Sequence, residues 1–525
     1  MKPLRTVAKR SFKALITGLC PAASIMCRQT LHDRSITHTF SVMKENIQNE
    51  LQKASYVCTT ADLWSSSNRS FLGVTAHWYN EETLSRKSAA LACVRFKGKH
   101  SFDKIAAALS QTHANYNIEM KVVMTCTDNG SNMVKAFSEF SVKRQEPEVS
   151  VEEAVSEAES DSDSAEEGDE DNDLARVIFD SGVSEAIEAS EDNVEVTLPE
   201  HMRCCSHTLN LVATKDAEKA LGNAAYKKLY RQAMAKSSAL WNLTSRSTKA
   251  ADTTSDILGF RLSVPCVTRW NSYYEAVKKI IAANSKLAEL CTALGLPLFL
   301  QTDVSFLKEY LSVMAPVATS LDILEGEQQC ALGFVLPMLA ILKKRLVALQ
   351  VTSAEPLRAS ILEGIENCFG QYFQHKEFML AAISHPKFRL AWIDDATERA
   401  MSTQMLEQAV RNNMAAVTDT KCASTAVTVP TNSSADEFFS FSAETSEEVQ
   451  HHLEFLNDKD KDILMMNRHP EIKKIFLRYN TTLPSSAPVE RLFSTAALVL
   501  TKHRNKLKDS TFENLLLMKI NKQFW

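Results

Sequence analysis

Residues 55–79 read SYVCTTADLWSSSNRSFLGVTAHWY, and they decide how the first third of the chain is built. Two runs rich in apolar, β-branched and aromatic residues flank the polar turn SSSN at 65–68. A third run of the same texture, RKSAALACVRF (86–96), follows a second polar turn, NEETLS at 80–85. Short runs of this kind bounded by turn residues read as a strand meander. Next comes FDKIAAALSQTH, with Ile105 and Leu109 four apart as on one face of a helix. KVVMTCT (121–127) then reads as a buried strand that stops at the turn signal Asp128-Asn129-Gly130, with a helix over NMVKAFSEF after it. The order β-β-β-α-β-α is a meander followed by a crossover, which implies a mixed sheet flanked by helices.

The rest of the chain changes character twice. Residues 146–173 hold fourteen Asp/Glu and no Lys/Arg; subtracting them turns the net charge of −5 into +9 for the remainder. Such a segment cannot bury a core, so 141–195 is expected to be disordered, a solvated linker in which Ser160, Ser162 and Ser164 are candidate phosphorylation sites. A basic body permits a nucleic-acid partner without requiring one. Beyond it, most of 209–480 is read as helix from apolar spacings of three to four and sparse Gly and Pro, as in EAVKKIIAANSKLAELCTAL (275–294) and LPMLAILKKRLVAL (336–349). A Ser/Thr-rich stretch at 419–437 reads as a long loop. An N-terminal helix is expected at 40–53. No uninterrupted apolar run reaches the length of about 18 residues that a membrane-spanning helix needs, so no membrane is expected. The basic N-terminus is interrupted by Lys13 and does not make a good signal peptide. The twelve scattered cysteines lack any CxxC pair and suit reduced thiols.

Three acids stand out. Asp62 follows the first strand and Asp128 ends the fourth. Carboxylates on neighbouring strand ends can share divalent cations, although Asp is also common there as a turn cap. Glu490 lies in SSAPVERLFSTAALVL (485–500), at the start of a helix whose Val489, Leu492, Phe493, Ala496, Ala497 and Leu500 form one apolar stripe. A capping box would need a hydroxyl three residues before Glu490, and Ala487 stands there, so only the helix dipole gives this acid a local role. Cys204, Cys205 and His207 in MRCCSHTLNL have no second Cys/His pair at finger spacing. A Cys-x-x-His pair at a helix start then reads as positioning backbone, and no structural zinc site is expected.

Taken together, CTTADLWSSSNRSFLGVTAHWY, KVVMTCTDNGSNMVKAF, RCCSHTLNL, VTRWNSYYEAV and SSAPVERLFSTAALVLTKHRNKL resemble, in order and over about 40–525, the blocks of hAT superfamily transposases and their domesticated BED-finger relatives. The resemblance implies an α/β plus all-α architecture: an RNase H-like mixed sheet flanked by helices and interrupted by a large all-helical insertion. On that plan 1–50 is an N-terminal helical remnant and 51–140 the first part of the RNase H-like domain. Residues 141–195 are the acidic insert and 196–208 the last strand. The helical insertion takes 209–480, and 481–525 supplies the C-terminal helices. Dimerisation is associated with about 440–525, with Leu492, Phe493 and Leu500 as candidate stripe residues.

The resemblance also implies a DDE triad of Asp62, Asp128 and Glu490 using Mg²⁺ or Mn²⁺. Cys204 and His207 match the family Cys-x-x-His motif, and Trp270 matches a tryptophan that contacts DNA. It further implies DNA as partner, a homodimer or higher homo-oligomer, and a nuclear location. Residues 1–50 carry only Cys20, Cys27, His32 and His38, so no BED finger is visible. Two readings stay open: a DNA-cutting and DNA-joining transposase, or a catalytically idle, domesticated nuclear factor acting through DNA or chromatin association and dimerisation.

Overall fold

The computed structural model describes residues 4–66, 68–141, 196–265, 270–422, 450–501 and 507–525. Five strands form one mixed sheet: β1 (Val57–Ser66), β2 (Arg69–Tyr79), β3 (Arg86–Phe96), β4 (Val122–Thr127) and β5 (His201–Arg203). Their order is β3-β2-β1-β4-β5. The meander pairs antiparallel, whereas β4 lies parallel to β1 and β5 parallel to β4. The expected β-β-β-α-β-α order is present, with helices at Phe102–Ala114 and Ser131–Phe140. The first hairpin closes through Asn68 at φ 61°, in the left-handed region that Asn tolerates.

β1 is the central strand, and its first five residues are fully buried. Its polar side chains are satisfied across the sheet. Thr59 Oγ1 meets Thr125 Oγ1 at 2.7 Å, and Thr60 Oγ1 meets Thr75 Oγ1 at 2.6 Å. Buried hydroxyls paired in this way avoid the desolvation penalty of an unmade hydrogen bond. This is why a threonine-rich strand can sit at the middle of the core.

Helices cover the sheet with side chains drawn from both ends of the chain. Met43, Ile47 and Leu51 come from the helix Thr37–Lys53, which starts three residues before the expected 40–53. Val489, Leu492, Phe493 and Ala496 come from Ala487–Val499, and Phe512 and Leu516 from Asp509–Ile520. The Phe493 ring stacks on Trp64 with centroids 5.7 Å apart, and Phe71 meets Phe512 at 4.9 Å. β3 is an edge strand, and Asn521 closes it: its side chain donates to Ala90 O at 2.8 Å and accepts from Ala90 N at 2.9 Å.

Among the described residues, every regular element between Cys205 and Asn480 is helical. These helices share a core around Phe306, Leu307, Val313, Val335, Leu339 and Ile361. Three sequence expectations need correction. The stretch 275–294 is two helices, Trp270–Ala282 and Asn284–Leu294. Ala283 breaks them at ψ 1°, and the Asn284-Ser285 pair that follows has polar side chains that compete for helix backbone. The helix Ala396–Cys422 runs into the start of the loop expected at 419–437; residues 423–437 lie outside the described residues, as does the acidic 142–195. Leu492, Phe493 and Leu500 are buried in this chain's own core and are covered before any partner could reach them. No helix among the described residues is long and apolar enough to cross a membrane.

Gly73 of β2 marks the tightest contact between sheet and C-terminal helix. A Cβ there would stand 2.6 Å from the Phe493 ring and 2.8 Å from Val489 Cγ2. Gly73→Ala should therefore cost about 1–3 kcal/mol by overpacking. Scanning calorimetry should show a lowered melting temperature, and adding Phe493→Leu should recover part of the loss; additive losses would show that the contact is slack.

Candidate active site at the ends of the parallel strands

The register of β1 and β4 builds the site. Their last paired residues are Ala61 and Thr127, so Asp62 and Asp128 follow as neighbours where this pairing ends; Asp128 lies just past β4, whereas Asp62, expected after the first strand, is still inside β1 opposite Gly73 of β2. Strand ends of this kind are where open α/β sheets place ligands. Asp62 Oδ1 accepts from the Leu63 amide at 2.7 Å. Asp128 Oδ1 accepts from the Gly130 amide at 3.1 Å, turning the chain into the helix Ser131–Phe140. A Cβ on Gly130 would lie 3.1 Å from that same carboxylate oxygen, so glycine lets the turn close.

Glu490 arrives from the far end of the chain. Ser486 is the N-cap residue of Ala487–Val499, with Pro488 in the first turn. Its side chain makes no capping bond, in keeping with the missing capping box. Glu490 is exposed, on the flank of a helix whose apolar stripe is buried on β1 and β2. The next residue, Arg491, reaches Glu327 Oε2 at 3.0 Å and the Glu325 carbonyl, which ties this turn to the segment following the helix Gln301–Leu324.

Electrostatics couples Asp62 to both other acids. Burial, then the Asp128 charge, and further the Glu490 and Cys204 charges push the Asp62 carboxyl up to about 7, against the Leu63 amide that favours its ionised form. Like charges raise a carboxyl only when they are near. Asp128 is the larger of the two carboxylate influences and Glu490, 362 residues further along the chain, the smaller.

The donor set suits a hard divalent cation. Its ligands are carboxylate oxygens, and beside Asp128 the Asn129 Oδ1 is buried with no hydrogen-bond partner. Among the described residues no group of three or more His, Cys, Asp or Glu is gathered closely enough to hold a metal. A cation held by one or two carboxylates and keeping several waters, as Mg²⁺ does, fits that arrangement.

Of the Cys-x-x-His pair, it is the Cys204 side chain that holds backbone, that of His207 included. Cys204 caps the helix Cys205–Leu211, its sulfur accepting from the His207 amide at 3.4 Å. The same sulfur accepts from the Ser486 amide at 3.3 Å and lies 3.1 Å from Ser206 Oγ. Hydrogen bonds from Cys126, Ser206 and Ser486 hold its thiol well below the usual range, while burial pushes Cys126 up. Trp270 opens the helix Trp270–Ala282, and its side chain lies outside the described residues. Its neighbour Asn271 bonds Asp322 Oδ1 at 3.1 Å. Sequence reading missed Ser206, Ser485, Asn129 and Arg491. Only the Ser-Ser pair ahead of Pro488 hinted at them, and serines before a helix are ordinary.

Residues 60–150 match the family model described as the ZBED1 RNase-like domain, a span that includes Asp62 and Asp128. Two Zea mays proteins named as AC and AC9 transposases are each 22% identical over 293 residues, 55% of this chain. The match spans 30% and 29% of those relatives' lengths, respectively. Together with the mixed five-stranded sheet and helical remainder, these likenesses support a hAT-type transposase-like protein.

Proposed function

We propose that the sheet is an RNase H-like core interrupted by the helical region, and that it cuts and joins DNA through the triad Asp62, Asp128 and Glu490 with a divalent cation, Mg²⁺ or Mn²⁺, that one or two of these carboxylates hold. The observation that carries this reading is the charge coupling of Asp62 to both Asp128 and Glu490, with Asp62 and Asp128 placed as neighbours where the parallel pairing of β1 and β4 ends. When bound, the cation would stabilise the attacking and leaving oxygens of an in-line displacement at a phosphodiester. The protein's own part is placement. Half-buried Asp62 is fixed by the Leu63 amide, Asp128 by the Gly130 amide, and exposed Glu490 stands on the open side where a phosphate backbone would approach.

DNA as substrate, a nuclear location and self-association through about 440–525 belong to the same proposal. The buried stripe leaves exposed Leu498, Leu464 and Trp525 as the apolar surface such an interface would use. The idle, domesticated factor is the second reading. The observation in its favour is that no three-ligand cluster is assembled among the described residues.

Cleavage of element-end DNA with Mg²⁺ or Mn²⁺ tests the enzyme reading. Asp62→Asn and Glu490→Gln should each lower the rate by about 100-fold or more, as loss of a single electrostatic stabiliser does elsewhere. Equal rates for Glu490→Gln and wild type would reject the mechanism. Light scattering of the full chain, with Leu498→Glu as the disrupting variant, checks self-association; a monomeric wild type would reject it.

The acids also set a pH dependence. The folded Asp62 carboxyl, at about 7, lies above its unfolded value, so the native state favours the proton. Below the unfolded value both states are protonated and no penalty exists. The penalty grows as pH rises towards 7 and is then constant. Without divalent cation, Asp62→Asn should melt higher than wild type at pH 8, by about 1–2 kcal/mol once partial exposure is allowed for. The gap should shrink towards pH 4 in melting curves recorded across that range, and added Mn²⁺ should raise wild type alone.

A further inference from the structure

We propose that Cys204 is a positioning residue: its buried sulfur, with Ser206 and Ser485, fixes the segment that carries Glu490 against the strand end that carries Asp128. The proposal rests on the triad reading above, since it assigns Cys204 a role in placing the third acid.

Three chain segments meet at this cysteine. The Cys204 amide donates to Thr127 O at 2.8 Å, one residue before Asp128. The Cys205 amide donates to Pro484 O, also at 2.8 Å. Ser206 Oγ and Ser485 Oγ are 2.7 Å apart, and Ser485 Oγ accepts from the Ala487 amide at 3.1 Å. The sulfur takes the amides of His207 and Ser486 and lies 3.8 Å from Ser485 Oγ. Cys204, Ser485 and Ser486 are all at most 2% exposed, so water cannot replace these bonds. Ser486 in turn governs the first turn of the Glu490 helix, because its carbonyl accepts from Val489 at 3.0 Å and Glu490 at 3.4 Å. This turn therefore sets the backbone from which the Glu490 side chain starts.

The choice of sulfur has a physical reason. A side-chain oxygen bonds amides at about 2.7–3.2 Å. One atom serving two amides from segments 279 residues apart in sequence, at 3.3 and 3.4 Å, needs the longer reach of sulfur. Serine at 204 would have to draw one segment inward, and alanine would leave the Ser486 amide buried and unpaired.

Full-length wild type, Cys204→Ala, Cys204→Ser and Ser485→Ala decide the matter through three readouts. The first is amide exchange over 484–492. The second is Mn²⁺ affinity without DNA, and the third is kcat and KM for cleavage. Cys204→Ala should speed exchange within 484–492 alone. It should also weaken Mn²⁺ binding and lower kcat by about 10–100-fold, the range typical when a group supporting a metal ligand is removed, with KM for DNA unchanged. Cys204→Ser should recover part of each loss, and Ser485→Ala should show the same pattern more weakly. Unchanged Mn²⁺ affinity and exchange in Cys204→Ala, or faster exchange across the whole sheet, would reduce the sulfur to core packing and overturn the proposal. Glu490→Gln separates the two claims. If it binds Mn²⁺ like wild type, the triad reading fails, and exchange over 484–492 alone then decides whether Cys204 fixes that segment.

Discussion

The parallel pairing of β1 with β4 is the constraint on which the rest depends. Ala61 opposite Thr127 places Asp62 and Asp128 as neighbours where the pairing of the two strands ends. A slip of one residue would turn Asp62 to the other face of the sheet and bring Leu63 in its place. The threonine pairs Thr59–Thr125 and Thr60–Thr75 hold the register from inside, because any other pairing would bury hydroxyls without partners.

The C-terminal helix solves two problems with one element. Its apolar stripe covers β1 and β2, closely enough that only glycine fits at position 73. Its first turn then brings Glu490 to the strand ends. The two requirements are linked: the packing that stabilises the sheet also fixes the height of the acid along the helix, while the Cys204 contacts and the Arg491–Glu327 pair fix its start. Burying Asp62 beside Asp128 works against stability, and the raised Asp62 carboxyl expresses that burial first and the neighbouring like charges second.

Much of the sheet could be read from local pattern. The runs at 57–66, 69–79, 86–96 and 122–127 are β-branched and aromatic and are bounded by turn residues, so each declares itself without help from the fold. The helix break at Ala283 could not be read, because 275–294 keeps helical spacing across it and tertiary packing ends one helix there. The stripe Leu492, Phe493 and Leu500 was legible as apolar. Whether it faced a core or a second copy was not, since both surfaces ask for the same side chains.

By itself the sequence determined the strand meander, the crossover, the helical character of the later chain, and that Asp128 ends the fourth strand, because these follow from periodicities of two and 3.6 and from turn chemistry. Only the tertiary structure decided that Asp62 lies inside its strand and feels the charges of Asp128 and Glu490, and that one cysteine, through its amide and its sulfur, joins the segments carrying those two. Proximity between residues 362 apart is set by how helices pack on a sheet and by which buried donors and acceptors then meet. No local spacing in the chain encodes that distance.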